Sequence, residues 1–176
     1  MAGRPSAGLA AVDLVLEWVD YMTNTFENEV SEMYRGLLCV LPEGVAKLAV
    51  GPSRDPAGGE DIELTPTNLS SARISVHVAG DMISLFMGRG TSTEVLVDSR
   101  RREEQALEHL KEMSKAVIDG RFTEDVWVSH GKVVRAIGRL QLGKGAKTLR
   151  FLGLYNPLGR SERYHYEYAP YTNQSF

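Results

Sequence analysis

Four carboxylates, Asp13, Glu17, Asp20 and Glu27, fall with Asn24 and Ser31 within about 40° of one line when residues 9–35 are drawn as a helix at ~100° per residue. No Lys or Arg lies between Gly8 and Tyr34, so these acids lack the i,i+4 partners of a merely solubilising face and repel one another. Such a stripe suits recognition of a basic protein surface by charge complementarity. Asp13, Glu17, Asp20 and Glu27 are therefore the expected partner-binding residues.

Catalytic chemistry has weaker footholds. On the same wheel Glu29 projects toward the apolar side near Met22, Phe26 and Met33, where a carboxylate is costly to desolvate unless it is paired or functional. It is the expected buried acid. His77 and His165 are each flanked by apolar or aromatic residues on predicted strands and are the imidazole candidates for acid–base work, although both alternate with core-facing positions. Cys39, within Leu37–Leu41, reads as a small core residue. The run Gly143-Lys144-Gly145-Ala146-Lys147-Thr148 lacks the spacing of a phosphate loop and precedes no helix. GxSxG, HExxH and GxGxxG are absent, as is any His–carboxylate cluster at metal-ligand spacing, so no cofactor and no metal are expected. Arg100, Arg101 and Arg102 oppose the dipole of the helix they begin unless they meet an anion.

These residues need elements to hold them. Val12, Val15, Val19, Met22, Phe26, Val30 and Met33 recur at three- and four-residue steps and predict a long first helix over residues 9–35. Alternating runs separated by Gly-containing turns predict hairpins through residues 62–97, and residues 51–61, with two prolines and three glycines, read as an exposed loop. A second helix over residues 101–118 ends at Gly120, well placed as its C′ residue. Strands over 124–129, 132–142 and 147–155 follow, joined by loops too short for parallel crossovers, and Tyr164, Tyr166 and Tyr168 at period two predict a last strand with one aromatic face. The fold class is α+β: an antiparallel curved sheet of two meanders, with the long N-terminal helix and the second helix packed on one face.

The whole chain, 176 residues with 43% apolar side chains, is expected to be a single domain, with residues 1–8 a flexible N-terminus. A net charge of −3 is ordinary and gives no argument for nucleic acid or membrane as partner, so neither is expected. The halves differ: residues 1–97 carry 6 Lys and Arg against 13 Asp and Glu, residues 98–176 carry 14 against 10, so a polarised molecule is expected. A single cysteine excludes an intrachain disulfide, and Asp13, Glu17 and Asp20 interrupt the first apolar stretch too soon for a membrane span, which points to the cytoplasm.

Three functions fit. The first is a non-enzymatic protein-binding domain of the immunity or antitoxin kind, covering a basic partner with its acidic helix. The second is a pocket protein or isomerase- or dehydratase-like enzyme on an α+β cone, with Glu29 or a histidine as base. The third is a structural homodimer through Val12, Val15, Val19, Met22 and Phe26 of the first helix.

Overall fold

A computed structural model describes residues 26–56, 58–97, 99–143, 145–152 and 161–172. Their order is a helix α1, whose described part is residues 26–39, then β1 (Ala46–Pro52), β2 (Glu60–Pro66), β3 (Ile74–Ala79), β4 (Met82–Met87), β5 (Thr91–Leu96), α2 (Arg100–Ile118), β6 (Phe122–Ser129), β7 (Lys132–Leu142), β8 (Gly145–Leu152) and β9 (Glu162–Glu167). The α+β class holds, with antiparallel pairing throughout.

The two meanders form separate sheets. The first runs β1-β2-β3-β4-β5 in chain order. The second is ordered β8-β7-β6-β9: the last strand does not extend the meander beyond β8 but returns to the free edge of β6. Alternation decides which face each strand buries. Ile62 and Leu64 of β2, Ile74, Val76 and Val78 of β3, and Ile83, Leu85 and Met87 of β4 share one face through the register Ile62↔Val76↔Leu85 and are at most 1% exposed. That face joins Phe26, Val30 and Tyr34 of α1, Leu110, Met113 and Val117 of α2, and Phe122 and Leu140 of the second sheet in one continuous core.

Polar groups inside the core are paired. The Tyr34 hydroxyl meets Ser114 Oγ at 2.6 Å and links the two helices. Burial pushes that phenol above its ordinary pKa, against the hydrogen bond from Ser114. Tyr171, 1% exposed, donates to the Ala72 carbonyl at 2.7 Å, and its backbone N–H reaches the Ile118 carbonyl at 2.9 Å, so residues 168–171 lash the first sheet to α2.

Gly120 ends α2 as expected. At φ 73° it donates to Val117 O while Arg121 donates to Ala116 O, the paired bonds of a Schellman ending. The loop expected over residues 51–61 is narrower, because β1 and β2 pair as far as Pro52↔Glu60 and only residues 53–59 turn. Pro52 is tolerated there because β1 is an edge strand, where a missing N–H breaks no ladder bond.

The face of α1 differs from the expected one. Its buried residues are Phe26, Val30, Ser31, Tyr34 and Leu37, whose mean direction lies roughly 50° round the helix from the axis of the sequence stripe. Ser31 and Tyr34, on the side of the helix that the apolar stripe leaves out, set that rotation. It carries Glu29 into solvent and turns Glu27 and Ser31 inward. Cys39, at the end of the helix, is exposed and not a core residue.

Candidate functional site

Strand β6 places two consecutive carboxylates on opposite faces of the second sheet. Phe122, Glu124 and Val126 face inward with Leu140, Gly138 and Ala136 of β7; Thr123, Asp125 and Trp127 face outward with Arg139, Ile137 and Arg135. Glu124 is 0% and Asp125 is 1% exposed. A buried carboxylate persists only if its lone pairs are filled, and the two fill theirs differently.

Glu124 is bound by uncharged donors. Arg89 N and Gly90 N, from the turn between β4 and β5, lie at 2.9 Å, Thr91 Oγ1 at 2.7 Å and Tyr168 Oη at 2.8 Å. Burial, then the charge of Glu124, pushes the Tyr168 phenol far above its ordinary pKa, so it stays a donor. Glu124 thus fastens the first sheet to the second.

Asp125 is bound by two guanidiniums and an imidazole. Arg139 Nη1 lies 2.8 Å from Oδ2, and Arg163 Nη2 and His165 Nδ1 each lie 2.9 Å from Oδ1. Burial alone would raise this carboxyl, but hydrogen bonds from Arg139, His165 and Arg163 outweigh it and hold the group well below the usual aspartate range. The other ring nitrogen of His165, Nε2, lies 3.5 Å from Glu167 Oε1.

Around Asp125 the outward face is rich in arginine. Register places Arg135 and Arg139 of β7, Arg150 of β8 and Arg163 of β9 on it, against the carboxylates of Asp125 and Glu167. Trp127 is the central ring. Arg135 stacks on it from β7 at 4.6 Å and Arg163 from β9 at 5.4 Å. Arg163 spends its Nε and Nη2 on Asp125 Oδ1, whereas Arg135 over the indole keeps its guanidinium donors for bidentate contact with a carboxylate or phosphate. Among the described residues, Arg135 and Arg150 have no carboxylate partner. Leu152, 74% exposed, adds an apolar rim.

On the inward side of β9 the expected aromatic face is present. Tyr164, Tyr166 and Tyr168 stack at 6.5 and 6.1 Å, and Tyr168 continues onto Phe122 at 5.3 Å. Arg89 lies 4.7 Å over Tyr166.

The residues singled out from sequence are scattered. Asp13, Glu17 and Asp20 lie outside the described residues. Glu27 is half-buried, not on an open stripe; burial, then neighbouring Glu60, raises its carboxyl, with His77 opposing. Ser31 donates to Glu60 beside it. Glu29 is not a buried acid: it is exposed and lines a shallow groove between the helices with Glu32, Met33, Glu104, Leu107, Glu108 and Lys111. His77 and His165 stand on different sheets, each with its own aspartate: Asp61 lies 2.8 Å from His77 Nδ1. Only His165 joins the arginine face. Asp125, Trp127 and Arg163 were missed, although Glu124-Asp125 within a strand pattern is a signal, since alternation must turn one of two adjacent acids inward.

Among the described residues no helix is long and apolar enough to cross a membrane, and no group of three or more His, Cys, Asp or Glu could hold a metal. Compared with family models, with curated proteins and with solved structures, the chain matches none.

Proposed function

We propose that this chain is a non-enzymatic protein-binding domain and that its working surface is the arginine face of the second sheet, which takes an acidic polypeptide. The observation that supports this reading is the anchoring of Arg139, Arg163 and His165 on buried Asp125. Guanidiniums held in place before a partner arrives lose little side-chain freedom on binding, which favours affinity. Trp127 supports a carboxylate-bearing partner over a stacked nucleobase, because Arg135 and Arg163 already lie against its ring.

The partner's charge is thus opposite to the one the first helix suggests. Of that acidic stripe, Glu27 is turned against Glu60, whereas the arginine face lies open on a rigid sheet.

The test is titration of a dye-labelled oligoglutamate peptide, read by fluorescence anisotropy, against the natural chain and an Arg135→Ser/Arg150→Ser variant. Binding that weakens with added salt and is lost in the variant supports the reading. Equal binding by the two proteins, or a preference for a labelled single-stranded oligonucleotide over the peptide, overturns it.

A further inference from the structure

Lys147 sits where lysine is rarely found. It lies on the inward face of β8, in register with Leu140 and, beyond it, Phe122, and it is half-buried under α2. Its Nζ is hydrogen-bonded to His109 Nε2 and lies 3.8 Å from Met113 Sδ, groups one turn apart on the helix. Both are uncharged acceptors, and among the described residues no carboxylate is within ion-pair distance of the amine. Two nitrogen bases in contact resist carrying two protons at once, so the pair favours a free amine or a free imidazole.

The titration of each group agrees with the geometry. Burial pulls Lys147 below the ordinary lysine range, with Glu112 opposing. Burial first and Lys147 second pull His109 down, again against Glu112. A partly desolvated amine beside another base gives up its proton more readily than a solvated lysine, and the free amine is the nucleophile.

We propose that Lys147 is a Schiff-base-forming amine and that it accepts neutral aldehydes or ketones through the groove beside His109. That groove has a volume of about 370 Å³ and is lined by Glu104, Gln105, Glu108, His109 and Glu112 of α2; Lys147 is not itself a lining residue and meets the groove through its contact with His109. Its three carboxylates repel keto acids and acyl phosphates, which leaves uncharged carbonyl compounds as the class that fits. In the reaction the Nζ lone pair attacks the carbonyl carbon, and the nitrogen proton passes by way of His109 to the oxygen, giving a carbinolamine. Loss of the hydroxyl as water, with the second nitrogen proton returned through His109, leaves the imine. One carbonyl and one amine give one imine and one water, and no oxidant or reductant enters.

The test is reductive trapping at neutral pH. The full chain is incubated with a limiting amount of butanal and cyanoborohydride, quenched early, and mapped by peptide mass spectrometry. Butylation is expected at Lys147 well ahead of Lys47, Lys111, Lys115 and Lys132, which are compared within the same sample. His109→Gln, which keeps a hydrogen-bonding side chain but cannot shuttle the proton, is expected to slow labelling of Lys147 by at least about tenfold. Pyruvate in place of butanal is expected to lose the preference for Lys147. Labelling spread evenly over the lysines, or unaffected by His109→Gln, overturns the proposal.

Discussion

Glu124 and Asp125 are neighbours in β6, and their buried carboxylates lie on opposite faces of one sheet, Glu124 held by four uncharged donors and Asp125 by two guanidiniums and an imidazole. The first arrangement joins two sheets, and the second orders a surface. The consequences of removing each carboxylate should therefore differ in kind.

Replacing Glu124 by Ala strands the Arg89 and Gly90 amides, the Thr91 hydroxyl and the Tyr168 hydroxyl without an acceptor. Each buried orphan costs roughly 1–3 kcal/mol, offset in part by relief of the carboxylate's own desolvation, so a net loss on the order of 3 kcal/mol is expected. Glu124→Gln should lose less, because its carbonyl oxygen still accepts from part of the set. Urea denaturation of the two variants checks the order; an Ala variant as stable as the natural chain would disprove the junction.

Asp125 gives the fold a defined acid sensitivity. Its folded pKa is depressed, so its contribution is complete above the unfolded aspartate value of about 3.9 and disappears as pH falls below that value through the folded one. Asp125→Asn lacks this contribution at every pH. Stability curves for the two proteins should lie apart near neutrality and draw together on acidification below about pH 4. Parallel curves down to pH 2 would show that the arginines do not hold Asp125 ionised.

The arginines divide into two groups. Arg135 and Arg150 are exposed and, among the described residues, unpaired with acids, so Arg150→Ser should change stability by less than about 0.5 kcal/mol and Arg135→Ser, which also gives up its contact with Trp127, by about 0.5–1 kcal/mol, while both weaken capture of the acidic peptide. Arg163 covers Asp125 as well as stacking on Trp127, so Arg163→Ser should lower both stability and affinity. Denaturation midpoints measured beside peptide anisotropy separate the two effects.

Periodicity made most of the framework legible. Ile74, Val76 and Val78 alternate because β3 buries one face only, and Tyr164 and Tyr166 reveal β9 in the same way. Strand β6 is less legible because it is covered on both sides: Phe122 and Val126 face the core, while Asp125, in the opposite phase, is covered by side chains from β7 and β9. Alternation reports burial on one face and is silent about a polar cover contributed from residues 14 to 40 positions away. The first helix misled for a related reason. Its apolar pattern runs from Val12 to Met33, but burial of Ser31 and Tyr34 turns the helix away from that stripe, and that choice belongs to tertiary packing.

Gly88 offers a direct test of the turn that docks on Glu124. It has φ 64°, and a Cβ added there would stand 2.7 Å from Glu124 Oε2, 2.7 Å from the Tyr168 hydroxyl and 3.0 Å from the Phe122 ring. Gly131, in the turn between β6 and β7, has φ 73° with nothing within 4 Å. Both glycines to alanine incur the cost of a left-handed backbone, on the order of 1 kcal/mol, but only Gly88→Ala also forces the carboxylate and the phenol apart. Gly131→Ala is therefore the internal control, and Gly88→Ala should exceed it by about 1–3 kcal/mol, the usual cost of overpacking. Thermal denaturation of the two variants supplies the difference. Equal losses would mean that the turn does not rest on Glu124, and the coupling of the sheets would have to be sought instead in the Tyr171–Ala72 bond.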